Sequence, residues 1–358
     1  MNSNIQGSRK TRFMRPYFFQ TARLRPLFGS VVKPAVGMAA IAVLSLATGF
    51  IAQAAHAANL LYKTDFGSDV ALSPPHIVSD GRGAIQDLVV TGKVNGSLEP
   101  TGPWASAKLI FQLIADAPIT DSTLSDYITN EIQQVTGPSG TPVNAVFQNL
   151  KQNTAAGPAW GTSQDAFILF RESVAEGDKT DTGDVYYSYW FKFQPDLHSQ
   201  VGVTDNDSWR VMSSFKTGGL NNTYEGDYRV STIISQDSNG KLTWRTGADN
   251  VANGMPNVEV YWKEPISDVP VPVGEWFKYE VFWHRSSGGD GRYWTSVNGQ
   301  VIADHRGSNM GVYNLPINRI MLTNNYSGGK VPSQQWLTAL EIWDGFPCGE
   351  GKSCYGRY

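Results

Sequence analysis

The stretch WFKYEVFWHRSSGGDGRYWTSVNGQVIAD, at residues 276–304, carries the pattern that decides the fold. Apolar and polar side chains alternate along WFKYEVFWH, which is typical of a strand that buries one of its faces. The SSGGDG and NG segments contain the Gly, Asn and Asp residues that tolerate positive φ in hairpin turns. These residues predict consecutive hairpins in an antiparallel sheet.

The same alternation continues on both sides of this stretch. The further strand-like runs are YYSYWFKF (186–193), WRVMSSFK (209–216), YRVSTIIS (228–235), VEVYWK (258–263), RIMLTNNY (319–326) and LTALEIW (337–343). Many short strands separated by turn residues indicate an all-β sandwich or barrel. Because no Pro/Gly-rich linker divides the chain, we expect a single domain over residues 58–358.

Residues 104–156 have a different pattern. DSTLSDYITNEIQQV (121–135) and VFQNLKQN (146–153) have the spacing and composition of helices, and Asp121 or Ser122 is a suitable N-cap. The sequence therefore predicts a short helical insertion between an early strand and the main sheets.

The N-terminus has the three parts of a secretion signal. Seven basic residues and no acidic residue precede an uncharged apolar run at 36–52, and Ala55-His56-Ala57 matches a cleavage site. We therefore expect residues 1–57 to be removed from a bacterial protein that is secreted, either to the periplasm or outside the cell. The alternative is a single membrane anchor, since the run is about as short as a spanning helix can be. No later segment is apolar enough to span a membrane.

Cleavage would change the charge of the protein. It removes seven of the 29 basic residues and none of the 32 acidic residues, which leaves 22 against 32 and a net charge of −10. An acidic protein is a poor general ligand for nucleic acids, because phosphate contacts need clustered Lys and Arg. The charge also gives no general attraction to polyanions, although a local basic groove is compatible with it.

Cys348 and Cys354 are predicted to form a disulfide that pins the C-terminal tail. A metal site is the alternative, but the residues between them offer only Glu350 as a ligand. No cofactor is expected. The alternative is a calcium ion held by side-chain oxygens of residues that fit ordinary polar turns at least as well: Asp178, Asp181, Asp184, Asp205 and Asp207.

Several of these segments, in this order, resemble one family of folds. VYYSYWFKFQPDL (185–197), PVGEWFKYEVFWHRSSGGDGRYWTSVNGQVI (272–302), LTNNYSGG (322–329) and LEIWDG (340–345) are similar to strands of the concanavalin A-like jelly roll. More narrowly, they resemble the jelly-roll polysaccharide lyases, which include alginate, glucuronan and heparin lyase-like enzymes. The resemblance implies a jelly-roll β-sandwich and cleavage of a uronate-containing glycan by β-elimination.

A uronate lyase needs a group that neutralises the uronate carboxylate, a base for the α proton and an acid for the leaving oxygen. Tyr326 is the first candidate for acid or base, because it lies where the resembled families often place a tyrosine. His284 is the best-placed histidine of the mature chain. Lys216 and Arg210, which we expect on one face of their strand with Trp209 and Val211 on the other, are candidates for holding the carboxylate.

Alternation also predicts a polar sheet face suited to a glycan, since aromatic side chains stack on sugar rings and charged groups bind hydroxyls or carboxylates. The predicted substrate-binding residues of that face are Trp190, Lys192, Glu259, Tyr261, Lys278 and Glu280. The resemblance to the lyases adds Arg171, because Arg171-Glu172 is similar to an Arg-x-Glu strand of those enzymes. A plain solvated face is the alternative for each. For the whole protein, the alternatives to a carbon–oxygen lyase are a non-catalytic, lectin-like carbohydrate-binding protein and a cell-surface adhesion protein.

Overall fold

A computed structural model describes residues 58–78, 83–90, 107–115, 118–152, 162–170, 182–202, 209–218, 228–250, 259–326 and 330–356. These residues form two antiparallel sheets and two short helices, α1 (Asp121–Tyr127) and α2 (Leu197–Gln200). The predicted export signal at 1–57 lies outside the described residues. Within the described ranges, no helix has the length and apolar character needed to cross a membrane.

The smaller sheet has eight strands. They are β1 (Leu60–Thr64), β6 (Ile128–Thr136), β7 (Pro142–Leu150), β9 (Val185–Phe193), β14 (Trp276–His284), β15 (Arg292–Val297), β16 (Gln300–Arg306) and β18 (Ser333–Trp343). Their order across the sheet is β16-β15-β14-β9-β18-β7-β6, with β1 also paired to β18.

The larger sheet has ten strands. They are β2 (Val70–Leu72), β3 (His76–Ile77), β4 (Gly83–Val90), β5 (Lys108–Ala115), β8 (Thr162–Leu169), β10 (Arg210–Thr217), β11 (Arg229–Gln236), β12 (Leu242–Asp249), β13 (Val260–Lys263) and β17 (Ile317–Tyr326). Their order is β13-β12-β11-β10-β17-β8-β5-β4-β2, with β3 also paired to β4.

The inner faces of the two sheets pack together and bury one large aromatic core. Ring contacts join the sheets: Phe215 of β10 lies 4.7 Å from Trp283 of β14, and Trp244 of β12 lies 6.2 Å from Tyr279 of β14. The inward residues predicted for β9 and β14 are buried as expected: Tyr187, Tyr189, Phe191, Phe193, Phe277, Tyr279, Val281 and Trp283. The predicted all-β, jelly-roll sandwich is confirmed.

The predicted helical insertion is mostly a β-hairpin. Helix α1 accounts for residues 121–127, with Thr120 and Thr123 forming a capping box at its start. The helix prediction is wrong for residues 128–136 and 142–150, which form β6 and β7. Every residue of β6 has a partner on β7, and β7 pairs in turn with β18, so this hairpin extends the smaller sheet.

Two bulges change which side chains point into the core. The register shifts between Val211 and Ser213 in β10, and between Met321 and Thr323 in β17. The hydroxyl of Tyr189 lies 2.6 Å from each of two carbonyl oxygens at these bulges, on Met212 and Leu322. It therefore supplies a partner where regular strand pairing is interrupted.

The C-terminal tail lies on the outer face of the smaller sheet. The predicted disulfide between Cys348 and Cys354 is confirmed, with the two Cα atoms 5.5 Å apart. Phe346 packs on Phe282 with ring centroids 4.1 Å apart, and on Trp294 at 5.2 Å. The tail is thus attached to the sheet by an aromatic cluster as well as closed by a covalent bond.

Candidate functional site

Three cations lie side by side on the outer face of the larger sheet. Lys216 of β10 pairs in register with Arg319 of β17 on one side and with Arg229 of β11 on the other. All three side chains point away from the core, because the neighbouring residues Phe215, Ile320 and Val230 belong to it. We call Arg319, Lys216 and Arg229 the cationic row. Like charges in directly opposed positions destabilise a sheet, so this arrangement favours an anionic ligand.

Two carboxylates border the cationic row. Asp249 of β12 accepts two hydrogen bonds from the guanidinium of Arg229, at 3.0 and 2.8 Å. The carboxyl of Asp165 in β8 lies within range of the charges of Arg319 and Lys216. Three cations against two acidic groups leave this group of five residues net positive. Lys216 and Arg319 are half-buried, so they are also partly open to solvent.

Asp165 is buried and paired with an amide. Burial raises the pKa of its carboxyl from 3.8 to about 7, although Arg319, Lys216 and a hydrogen bond from Ser163 act in the opposite direction. Asn324 of β17 donates a hydrogen bond from Nδ2 to Asp165 Oδ1. The Oδ1 atom of Asn324 is buried and has no hydrogen-bond partner among the described residues. The pair therefore combines a carboxyl that titrates near neutral pH with an unused amide oxygen.

Tyr326 is the last residue of β17. Its backbone pairs with Ser163 of β8, two residues along each strand from the Asn324–Asp165 pair. The side chain of Tyr326 and the whole of Arg171 lie outside the described residues, so their roles stay predictions.

Arg210 does not share the outer face with Lys216, and that part of the prediction is wrong. The bulge in β10 turns Arg210 into the space between the sheets, where its guanidinium donates to Ser333 Oγ of β18 and to the carbonyl oxygen of Trp209. Trp209 and Val211, expected inside, instead pack with Ile233 in a separate cluster. Burial lowers the pKa of Arg210 to about 9, with the charge of Asp196 acting against the shift.

His284 lies in the smaller sheet, at the end of β14. Its Nδ1 is 2.6 Å from Asp184 Oδ1, and its Nε2 is 3.7 Å from Asp290 Oδ2 in the SSGGDG turn. Partial burial by itself lowers the pKa of His284, but the hydrogen bond and charge of Asp184 and the charge of Asp290 outweigh it and raise the pKa above 6.5. The structure therefore places His284 and Lys216 in different sheets and does not bring them together.

Four predicted binding residues lie on the outer face of the smaller sheet. Trp190 and Lys192 are half-buried, and Lys192 Nζ lies 5.7 Å from the centre of the Trp336 ring. Lys278 is buried, and burial lowers its pKa even though Glu280 and Glu341 act to raise it.

Glu280 is fully buried and attaches the tail to the sheet. Its carboxylate accepts hydrogen bonds from Tyr186 Oη at 2.6 Å, Ser296 Oγ at 2.7 Å and the backbone N–H of Cys354 at 2.6 Å, and another from Ser353 Oγ. Because these donors belong to the protein itself, the structure gives Glu280 a structural role in place of the predicted contact with substrate.

Glu259 and Tyr261 lie at the edge of the larger sheet. Glu259 is exposed, whereas Tyr261 stacks on the buried ring of Tyr228 at 5.3 Å and packs against the core. A register shift between β12 and β13 causes this change, since it places Tyr261 inward and leaves Val260 42% exposed. The outward position predicted for Tyr261 is therefore wrong, and so is the inward one predicted for Val260.

Four residues of the outer face are absent from the site predicted from the sequence: Asp165, Arg229, Arg319 and Asn324. Apolar and polar residues alternate in TSQDAFIL (162–169), YRVSTIIS and RIMLTNNY. This alternation predicts that Asp165, Arg229 and Arg319 point away from the core. The position of Asn324 also depends on the bulge in β17, which local alternation does not reveal.

Within the described ranges, no group of three or more His, Cys, Asp or Glu side chains is arranged to hold a metal ion. Four of the five candidate calcium ligands lie outside those ranges: Asp178, Asp181, Asp205 and Asp207. The fifth, Asp184, contacts His284.

The fold is similar to that of solved polysaccharide lyases. An endo-β-1,4-glucuronan lyase from the fungus Trichoderma reesei is 11% identical, with a TM-score of 0.39 over 61% of this chain and 90% of that one. Alginate lyase Aly36B is 12% identical, with a TM-score of 0.35 over 59% of this chain and 86% of that one. The receptor-binding domain of a botulinum neurotoxin C/D mosaic serotype is also similar, at 11% identity and a TM-score of 0.33 over 61% of this chain and 42% of that one. No family model matches the sequence, and no curated protein does.

Proposed function

We propose that this chain is an exported polysaccharide lyase that cleaves a uronate-containing glycan by β-elimination on the outer face of its larger sheet. The observation that carries the proposal is the cationic row beside the Asp165–Asn324 pair. Lys and Arg side chains bind carboxylates through charge-assisted hydrogen bonds. A row of them along a sheet therefore fits a polymer with repeated carboxylates, even though the whole chain is acidic.

The reaction removes the proton α to the uronate carboxylate. The electrons of that C–H bond form the new C4=C5 double bond, the C4–O bond breaks, and the leaving oxygen takes up a proton. A positive or hydrogen-bonding group at the carboxylate makes the α proton more acidic. We assign this task to Asn324 together with the protonated form of Asp165, and the proton transfers to Tyr326 as acid or base.

The proposed site of bond cleavage and the proposed carboxylate-binding residues lie at opposite ends of β17. Arg319 and Tyr326 are seven residues apart on this strand, which corresponds to roughly 23 Å in an extended strand. That length exceeds a single sugar ring. The Tyr326 end is therefore the proposed place of bond cleavage, and Lys216 and Arg319 hold the carboxylate of a more distant uronate in the same chain.

The test is to incubate the protein with alginate, glucuronan and heparin and to follow the ultraviolet absorbance of unsaturated uronate ends. We expect the wild-type protein to form product from at least one of these polymers. The Tyr326→Phe variant should form no product from the same polymer. Lys216→Ala and Arg319→Ala should raise KM roughly tenfold each, because a binding contact worth about 1.4 kcal/mol is lost. Lys241→Ala, at an exposed turn between β11 and β12, is the matched control and should leave both constants unchanged.

A non-catalytic uronate-binding protein is the second candidate, because the same cationic row would bind carboxylates without chemistry. Retention of a uronate polymer with no new absorbance on any of the three would replace the lyase proposal with this one. Full activity of Tyr326→Phe would overturn only the role assigned to Tyr326 and would leave the lyase proposal in place.

A further inference from the structure

The inner side of β17 changes from apolar to polar along the strand. Before the bulge, Ile317 and Ile320 pack into the apolar core. After the bulge, the inward side chains are those of Thr323 and Asn325, which are 1% and 0% exposed. Apolar packing has no preferred direction, whereas a hydrogen bond needs a defined geometry. The end of β17 at which cleavage is proposed is therefore the part whose position the interior can fix most specifically.

Two pairs of side chains join this end of β17 to the smaller sheet. Ser333, the first residue of β18, donates a hydrogen bond from Oγ to Asn325 Oδ1 at 2.7 Å. Asn325 Nδ2 donates in return to the carbonyl oxygen of Ser333 at 3.2 Å. Two residues along each strand, Gln335 Nε2 donates to Thr323 Oγ1 at 2.9 Å. These contacts cross the space between the sheets.

Arg210 completes a chain of hydrogen bonds with the first of these pairs. It lies on β10 in register with Asn325, and it is 1% exposed. Its guanidinium donates to Ser333 Oγ and, at 3.1 Å, to the carbonyl oxygen of Trp209. A hydroxyl has one proton to donate and two lone pairs to accept with. Ser333 therefore accepts from Arg210 and donates to Asn325, and each bond of such a chain polarises the next.

The buried charge of Arg210 needs an explanation other than stability. Burial lowers its pKa to about 9 although the charge of Asp196 acts in the opposite direction, so the guanidinium is still charged at neutral pH. Replacing a buried ionic group by an apolar side chain of similar volume is often neutral or stabilising. A requirement for one fixed arrangement of the neighbouring strands explains a buried cation better than stability does.

The end of the chain lies directly behind the proposed site. Asn325 lies between Asn324 and Tyr326 on β17, and successive residues of a strand point to opposite faces. Asn324 accordingly points outward, where it donates to Asp165. Any shift of Asn325 would move both neighbours with it. A displacement of about 1 Å at a reacting group can lower a rate roughly a hundredfold.

We propose that Arg210 is a positioning residue for the lyase reaction. It acts through Ser333 and Asn325, and it fixes the end of β17 at which the bond is cleaved. The inference rests on the proposed function, and it replaces the contact with a substrate carboxylate that the sequence predicts for Arg210. Lys216 and Arg319 lie on the other side of the two bulges, so binding of the more distant uronate should depend little on Arg210.

The first test is the steady-state kinetics of Arg210→Met on a uronate polymer that the wild type cleaves. We expect kcat to fall at least roughly tenfold while KM changes less than about threefold, because the groups that carry out the reaction are displaced and the distant binding contacts are kept. Arg210→Lys keeps a buried cation with hydrogen-bond donors and should recover part of the lost kcat. Ser333→Ala removes one hydroxyl from the same chain. If Arg210→Met does not fold, Ser333→Ala should still lower kcat with little change in KM.

Arg292→Met is the matched control. Arg292 of β15 is also buried, but its guanidinium contacts Asp304 and Glu350 on the outer face of the smaller sheet. This variant should lose stability and keep the kcat of the wild type. A loss of kcat that is equal in both variants would show that any buried arginine has the same effect.

The second test is amide hydrogen exchange, which needs no activity. In Arg210→Met, residues 323–326 should exchange at least roughly tenfold faster than in the wild type, and residues 317–320 should keep their rate, because the opening is local. Unchanged kcat in a folded Arg210→Met, or faster exchange to the same extent along the whole of β17, would overturn the inference. An inactive wild type whose variant still shows the local exchange would instead overturn the lyase proposal and leave Arg210 as the residue that fixes this end of β17.

Discussion

At the scale of single residues, the carboxyl of Asp165 shows how burial and nearby charge compete on one group. Burial favours the neutral form, and Arg319 and Lys216 favour the charged form. Burial is the larger effect, so the pKa rises from 3.8 to about 7. The folded protein therefore keeps this proton over a pH range in which the unfolded chain has lost it. The stability that this provides is fully present below pH 3.8 and is lost as pH rises through about 7.

The Asp165→Asn variant tests whether burial raises the pKa of Asp165. Asparagine keeps the shape and accepts the same hydrogen bond from Asn324, but it does not titrate. We expect the variant to gain stability relative to the wild type as pH rises from about 4 to about 7, with no further change above that range. The measurement is the free energy of unfolding in urea at a series of pH values. A difference between the two proteins that stays constant with pH would show that Asp165 titrates in its ordinary range.

At the scale of elements, the bulges of β10 and β17 are supported by one side chain from the opposite sheet. Tyr189 of β9 reaches across the core to the carbonyl oxygens of Met212 and Leu322, both at 2.6 Å. A buried carbonyl without a partner costs about 1–3 kcal/mol. The hydroxyl of Tyr189 therefore stabilises the irregular parts of the two strands that also carry Lys216, Arg319 and Asn324.

Tyr189→Phe removes this hydroxyl and little else. We expect it to lower the free energy of unfolding by about 1–3 kcal/mol. Tyr187→Phe is the matched control, because Tyr187 is equally buried in the same strand but its hydroxyl interacts with the side chain of Ser213 and not with a bulge carbonyl. Chemical denaturation of both variants gives the comparison. Equal effects of the two changes would mean that the contacts of Tyr189 with the bulges contribute nothing measurable.

The sequence predicts some strands of the fold correctly and fails at others. Alternation places the inward residues of β9 and β14 correctly, because these strands pair without a bulge between them. It fails at Arg210, where an inserted residue reverses the faces of β10. The helix prediction fails at Ile128–Thr136 although Ile128, Ile132 and Val135 have helical spacing. These residues pair with β7, and β7 pairs with the edge of β18 that would otherwise be open. This pairing between strands overrides the local helical pattern.

The candidate site is predictable only where it depends on the pattern within one strand. Alternation along residues 209–216 is enough to identify Lys216 as a candidate for binding a carboxylate. The cationic row depends on which strands become neighbours, since Arg319 is about one hundred residues from Lys216 in sequence yet pairs with it directly. Sequence separation of this size leaves no local signal, and a single sequence does not reveal strand order.

At the scale of the whole molecule, the two outer faces of the sandwich carry different structures. The larger sheet presents the cationic row, whereas the smaller sheet holds the C-terminal tail over Tyr186, Phe282 and Trp294. Glu280 lies beneath the tail, and its buried charge is satisfied in part by Ser353 and Cys354. Loosening the tail would expose this carboxylate and the aromatic cluster, but it would not touch β10 or β17.

The double variant Cys348→Ser, Cys354→Ser should therefore lose stability and keep its function on the larger sheet. The disulfide closes a loop with a sequence separation of six residues, and restricting an unfolded loop of that length contributes about 2 kcal/mol. Thermal unfolding should show the loss, and a reductant should lower the wild type to the level of the variant without changing the variant. Activity or binding on uronate polymers, measured below the unfolding transition, should equal that of the wild type. A variant that folds but loses its uronate function would show that the two faces are coupled through the sandwich.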